Sequence, residues 1–158
     1  MKALTVQQPW AWAIFNGKNI ENRSQLWSHR GPLAIHAGFR LADSAMHDPR
    51  ILGAVAGSPI DSRCRFWSLQ GDLEPHLVYG AVIGLVEVVD CHPAAGCCAP
   101  WGETEYVEFG GRPRQQIAHL VLENPRLLAE PIPCRGALGL WNVPEDIAAK
   151  CDSEIKPA

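Results

Sequence analysis

No run of apolar residues in this chain approaches the roughly 18 that a membrane-crossing helix needs, so none is expected. The N-terminus turns polar at Thr5, Gln7 and Gln8, too early for the core of a signal peptide. Several signatures are also missing. There is no phosphate-cradling G-x-x-x-x-G-K-[ST], no G-x-G-x-x-G after a strand, no G-x-S-x-G elbow and no H-E-x-x-H pair. Charged residues make up only 20% and the net charge is −3. That balance excludes a disordered chain and argues against an indiscriminate binder of polyanions. A regular cysteine framework is lacking too. The six cysteines are irregularly spaced, and 158 residues at 47% hydrophobic content can build a core without staples. Reduced thiols, a cytoplasmic location and no membrane partner are the expectation.

The charge that is present is unevenly spread. Residues 1–40 hold Lys2, Lys18, Arg23, Arg30 and Arg40 against Glu21 alone, a surplus of four on a body that carries −7. Such a patch suits one phosphate or a short single strand. Residues 4–6 read as a first strand, and Pro9 suits the first turn of a short helix over residues 10–15 that Asn16-Gly17 stops. Residues 18–23 read as an exposed strand or extended loop, and residues 33–37 as a buried strand. A helical stretch over 39–56 is expected to break at Pro49, with loop over 57–76. Further strands are expected at 79–89, 117–122 and 136–141, and Gly80 and Gly84 suggest the bends of a barrel. The expected fold is α+β: a small, mixed, partly open β-barrel flanked by short helices. It forms one domain over 1–145, with a Gly/Pro/Cys-rich insertion at about 91–114 and a short helix end and polar tail over 146–158.

Several ordered motifs carry a family resemblance. Gln8-Pro9-Trp10-Ala11-Trp12-Ala13-Ile14, Gly17-Lys18, Glu21-Asn22-Arg23 and Arg30-Gly31-Pro32-Leu33-Ala34-Ile35-His36 resemble the N-terminal half of an ASCH (activating signal cointegrator homology) domain. The strand after Gly80 and Pro133-Cys134-Arg135-Gly136-Ala137-Leu138-Gly139-Leu140-Trp141 resemble its C-terminal half. The adjacency of Gly17 and Lys18 departs from the family pattern, which has one residue between them. The resemblance implies a PUA-like barrel with a cleft beside the first helix. It also implies a role among RNA binding, transcriptional coactivation, deacetylation of acetylated cytidine and ribonuclease action. Relatives that cleave acetylated cytidine carry a threonine where this chain has Glu21, so Glu21 would have to act there as a base driving water onto the amide.

Lys18, Glu21 and Arg23 are the candidate constellation. In an extended segment positions 21 and 23 share a face, and a loop at 18–19 brings the lysine alongside. A desolvated lysine can serve as a base, and an arginine fork can hold a phosphate or oxyanion. An ordinary surface ion pair is the plain alternative. Gln8 can read a base edge or cap the first helix. Trp10 belongs to the ligand set, Trp27 and Trp101 sit in polar loops as stacking candidates, and Arg30 with His29 can meet a phosphate at the rim. Tyr106 can stack if its loop folds over the cleft, whereas Glu103 reads as part of a solvated acidic loop. His36 and His119 lie on strand patterns and read as core. Cys91, His92, Cys97 and Cys98 lack a second spaced ligand pair and read as loop thiols, so no metal or cofactor is expected. Three functions follow: a binding module for single-stranded RNA or a modified nucleobase or nucleoside, a hydrolase using Lys18 and Glu21, or a protein-interaction module.

Overall fold

The computed structural model describes residues 1–57, 73–104 and 116–154. Strand β1 (Lys2–Gln8) leads into helix α1 (Trp10–Ile14), then β2 (Ile20–Arg23), β3 (Gly31–Leu41) and helix α2 (Pro49–Ala56). After these come β4 (Ala81–Pro93), β5 (Ala118–Pro133), β6 (Leu140–Asn142) and helix α3 (Glu145–Ser153). The six strands form one mixed sheet in the order β2-β5-β4-β3-β1-β6, in which only β1 and β3 run parallel. Among the described residues the sheet does not close on itself, and β2 and β6 are its borders. Among the described residues no helix is long and apolar enough to cross a membrane.

Period-two alternation divides the core into two layers. Leu4, Val6, Leu33, Ile35, Val86 and Val88 point to the face that α1 covers. Ala3, Ala34, Val82 and Leu85 point to the other, against Ile147 and Cys151 of α3. A third cluster joins Ala13 and Ile20 to Ile51 and Val55 of α2 and to Trp101, and this cluster underlies the candidate site.

The structure departs from the sequence reading in several places, one being the last strand, which begins only at Leu140 rather than at 136. Pro49 opens α2 rather than breaking a helix: Asp48 caps it by accepting the Arg50 N–H at 2.8 Å, and proline suits a first helical position because its missing N–H has no partner there. Strand β2 is buried at Ile20 and Glu21 rather than exposed. Strand β5 runs for 16 residues, with Asn124 in the left-handed region at φ 49° and register shifts against β4 that absorb the bend. Gly80 and Gly84 do not close a barrel. A Cβ on Gly84 would lie 2.4 Å from the Phe15 ring and one on Gly80 would lie 2.3 Å from the Phe39 ring, so both glycines make room for aromatic lids on an open sheet.

Candidate functional site

Beyond the end of α1 at Ile14 the chain turns at Gly17, whose φ of 100° is open to glycine, so that the Lys18 N–H donates to the Ala13 carbonyl at 2.9 Å. It then enters β2, where Ile20 faces Val121 and Arg23 faces Ala118 of β5. This route buries the lysine side chain to 3% exposure beside Glu21. Lys18 Nζ donates to the Ile20 carbonyl and to Glu21 Oε2, and the second carboxylate oxygen of Glu21 lies 2.8 Å from Arg23 Nη2. Glu21 is therefore held between two cations. Arg23 also donates to the Thr5 carbonyl at 3.2 Å, while its buried Nε makes no hydrogen bond among the described residues.

The environment shifts both charges. Burial pulls the Lys18 ammonium below its ordinary value, and the neighbouring Glu21 carboxylate offsets this only in part. Burial alone would raise Glu21, but the charges of Lys18 and then Arg23 outweigh it and hold the carboxyl below its ordinary range. The pair thus combines a firmly ionised acid with a lysine that gives up its proton more readily than one in water.

These two residues form the floor of a cavity of about 200 Å³. Trp10 and Trp101 form its walls, edge to face with ring centroids 6.5 Å apart. The Arg50 guanidinium lies 5.5 Å from the Trp10 ring centre and 5.7 Å from that of Trp101, and Lys18 Nζ lies 6.0 Å from Trp10. Arg50 is held from behind by Asp48, whose Oδ2 accepts from Nη2 at 2.6 Å, and it reaches Glu103 at 2.8 Å and the Pro100 carbonyl at 3.2 Å. Those bonds hold the Asp48 carboxyl below its ordinary value. Asn22 completes the lining and ties the roof down, donating to the Trp101 carbonyl at 2.9 Å and accepting from the Glu103 N–H at 2.9 Å. The volume is below the roughly 300–1,000 Å³ of pockets that enclose drug-sized ligands, and suits a single ring system.

Of the residues singled out in the sequence, Trp10, Lys18 and Glu21 line this cavity, and Trp101 joins them. Arg23 stands behind Glu21 rather than in the lining. Gln8 is committed elsewhere: its Nε2 donates to the Val78 carbonyl at 2.7 Å and its Oε1 accepts from the Trp12 N–H at 3.0 Å, so it caps α1. Trp27 packs against the sheet core, and its N–H donates to Cys91 Sγ at 3.3 Å. Arg30 is exposed and bonded to Asp90 at 3.0 Å and to the Trp27 carbonyl at 3.0 Å. Tyr106 lies outside the described residues. Arg50 and Asn22 are new to the site, and Glu103 lines the cavity instead of standing free in a solvated loop.

No family model matches the chain, and no curated protein is similar to it in sequence. Solved structures are similar in shape. The crystal structure of ASCH from Zymomonas mobilis superposes with a TM-score of 0.53 at 13% identity, covering 98% of this chain and 95% of that one. A tyrosine-to-phenylalanine mutant of the same protein gives the same score and identity over 98% of each chain. At that identity the likeness speaks for the fold alone: the chain has an ASCH-like, α+β fold.

Proposed function

We propose that the cavity binds a nucleobase, either in a modified nucleoside or in a short single strand of RNA. The observation that carries this reading is the pairing of two indole walls with the buried Lys18–Glu21 pair in a space sized for one ring system. Indole and guanidinium planes offer flat surfaces on which a base stacks, each such contact worth roughly 1–3 kcal/mol. The Glu21 and Glu103 carboxylates accept from exocyclic amino groups, and the cations around them meet carbonyl oxygens or a phosphate. With few cations facing the cleft, the salt dependence of RNA binding is expected to be shallow. The test is a titration of the protein with cytidine, acetylated cytidine and a short unstructured RNA, followed by tryptophan fluorescence. Binding at micromolar or weaker affinity that is lost in Trp10→Ala and reduced in Arg23→Ala supports the reading. Affinity unchanged in both variants overturns it.

A hydrolase reading is favoured by one further observation, a buried lysine that lines the cavity and whose burial makes its proton easier to release. Once Lys18 has released its proton it takes one from water, the hydroxide adds to the acetyl carbonyl of an acylated nucleoside, and collapse of the adduct breaks the C–N bond. The departing amine takes the proton back from Lys18, leaving acetate and the free nucleoside. Arg50 is the cation in the lining that can meet the developing oxyanion. Chromatography of acetylated cytidine incubated with the wild type and with Lys18→Ala decides this. Cytidine from the first alone supports turnover, and equal product from both removes Lys18 from the chemistry.

A further inference from the structure

Beside the cavity, the end of β4, the turn that follows it and the start of β5 bring His92, Cys97, Cys98 and His119 together. One donor atom from each lies within 4.8 Å of all the others. Cys97 Sγ is 3.6 Å from His119 Nδ1, and Cys98 Sγ is 3.5 Å from His92 Nε2. For Zn–S of about 2.3 Å and Zn–N of about 2.0–2.1 Å, a tetrahedron places neighbouring donors roughly 3.3–3.8 Å apart. Both separations fall in that interval before any ion draws the ligands in. Cys97 Sγ also lies 4.0 Å from His92 Nδ1.

One ring nitrogen of each histidine is already engaged by a backbone carbonyl. His119 Nε2 donates to the Glu103 carbonyl at 2.7 Å, and His92 Nδ1 donates to the Pro93 carbonyl at 3.0 Å. A carbonyl oxygen only accepts, so the nitrogen facing it carries the proton. This leaves the His119 Nδ1 lone pair toward Cys97 and the His92 Nε2 lone pair toward Cys98, as hydrogen bonds to the other ring nitrogen do for metal-bound histidines. The fold spends conformational freedom on this arrangement. His92 and His119 are cross-strand partners in the β4–β5 ladder, with rings 5.4 Å apart. Adjacent cysteines normally project to opposite sides of an extended chain, but Cys98 sits at φ 64° and Gly96 at φ 68°, which turns both thiols to one side. Gly102 closes over them, for a Cβ there would lie 2.7 Å from His119 Cε1, 2.8 Å from the Cys97 carbonyl oxygen and 2.9 Å from Cys98 Cβ.

We propose that His92, Cys97, Cys98 and His119 bind one divalent zinc ion in a closed, tetrahedral, structural site. Four protein ligands leave no open position for a reacting water, so the ion's work is mechanical. It pins the turn over residues 97–103 to β4 and β5. That turn carries Trp101 and Glu103, the wall and roof of the candidate cavity, and its Glu103 carbonyl is the acceptor of His119. The site does not depend on what the cavity binds.

The test uses the full chain, purified with its thiols reduced, stripped of metal by a chelator and titrated with cobalt(II). The expected result is one equivalent bound, with the visible bands of tetrahedral cobalt and a sulfur-to-cobalt charge-transfer band, all displaced by zinc. Cys97→Ser, Cys98→Ser and His92→Asn each weaken cobalt binding by about 10–100-fold or more, while Cys91→Ser leaves it intact. His119 is fully buried and its replacement risks the fold, so the three partly exposed ligands carry the test. Amide exchange at Trp101 and Glu103 slows on zinc loading. Absence of tetrahedral bands in reduced wild type overturns the proposal, as do bands that survive Cys98→Ser. An intact mass two hydrogens low, with peptide mapping that joins Cys97 to Cys98 and no metal taken up, overturns it in favour of a disulfide.

Discussion

Asn22 on strand β2 holds Glu103, 81 residues away, by accepting its backbone N–H at 2.9 Å, and the same amide donates to the Trp101 carbonyl at 2.9 Å. One edge-strand side chain therefore fixes two peptide groups of the segment that roofs the cavity.

Replacing Asn22 by alanine leaves both peptide groups without their partner. The loss is expected to be about 1–3 kcal/mol, the usual cost of stranding a buried polar group. Urea unfolding gives the number, and ligand titration gives a larger proportional loss if Trp101 is a wall of the binding site.

Lys18 and Glu21 are a buried pair, so breaking it from one side is expected to cost more than removing it. Lys18→Met leaves Glu21 buried beside Arg23 alone and costs about 3–5 kcal/mol. The double variant Lys18→Met with Glu21→Leu recovers most of that loss, because no uncompensated carboxylate remains. Denaturant midpoints of the single and double variants check this directly. A double variant as unstable as the single one would mean that the charges contribute through packing only.

The same pair sets a pH dependence with a defined sign. Glu21 titrates below its ordinary 4.5 in the folded chain. Its contribution is complete above 4.5 and is lost as the pH falls through the lower folded value. Lys18 titrates below its ordinary 10.5, so the folded chain releases that proton first and stability rises as the pH climbs from the folded value toward 10.5. Unfolding free energies measured across pH are expected to slope in both windows. Glu21→Gln flattens the acid one, and Lys18→Met flattens the alkaline one.

Trp10 and Arg30 separate the cavity from the rest of the basic N-terminal segment. Trp10→Ala is expected to lower affinity for a nucleoside by roughly 1–3 kcal/mol, one stacked base. Arg30→Ala is expected to leave nucleoside affinity unchanged, since Arg30 is exposed and bonded to Asp90 away from the lining. Calorimetry with one nucleoside on both variants distinguishes the two.

Gly102→Ala tests the closeness of the turn to β5. The new methyl group meets the Cys97 carbonyl and Cys98 Cβ below 3.0 Å, both parts of a constrained backbone, so the turn has to move. A loss of about 1–3 kcal/mol is expected from such overpacking, visible as a lower melting temperature.

The first third of the site is legible in the sequence because its parts are local. Glu21 and Arg23 share a face by the period of an extended strand, and the short step from Gly17 to Lys18 keeps the lysine within reach. Burial of β2 is not legible, because the groups that cover it, α2 and Trp101, come from distant segments. Arg50 escapes notice for the same reason, although Asp48-Pro49 carries a readable signal: a capping residue followed by a proline that suits a first helical position. At Gln8 the sequence leaves two readings open, a cap or a reader of ligands, and here both ends of its amide are occupied by backbone partners. His119 reads as core and is buried, yet its meeting with Cys97 depends on the register that sets it opposite His92. Register between strands joined by a long connection is a tertiary property, and spacing of ligands along the chain does not reveal it.

Among the described residues the two borders of the sheet are also its two shortest strands, four residues in β2 and three in β6. A long flat border is a template on which a second chain can lay down a strand, because it displays a row of unpaired peptide groups. Here that row is only a few residues long on either side. The protein can thus carry its charged, ligand-facing residues on an outermost strand while offering neighbouring copies little to polymerise upon.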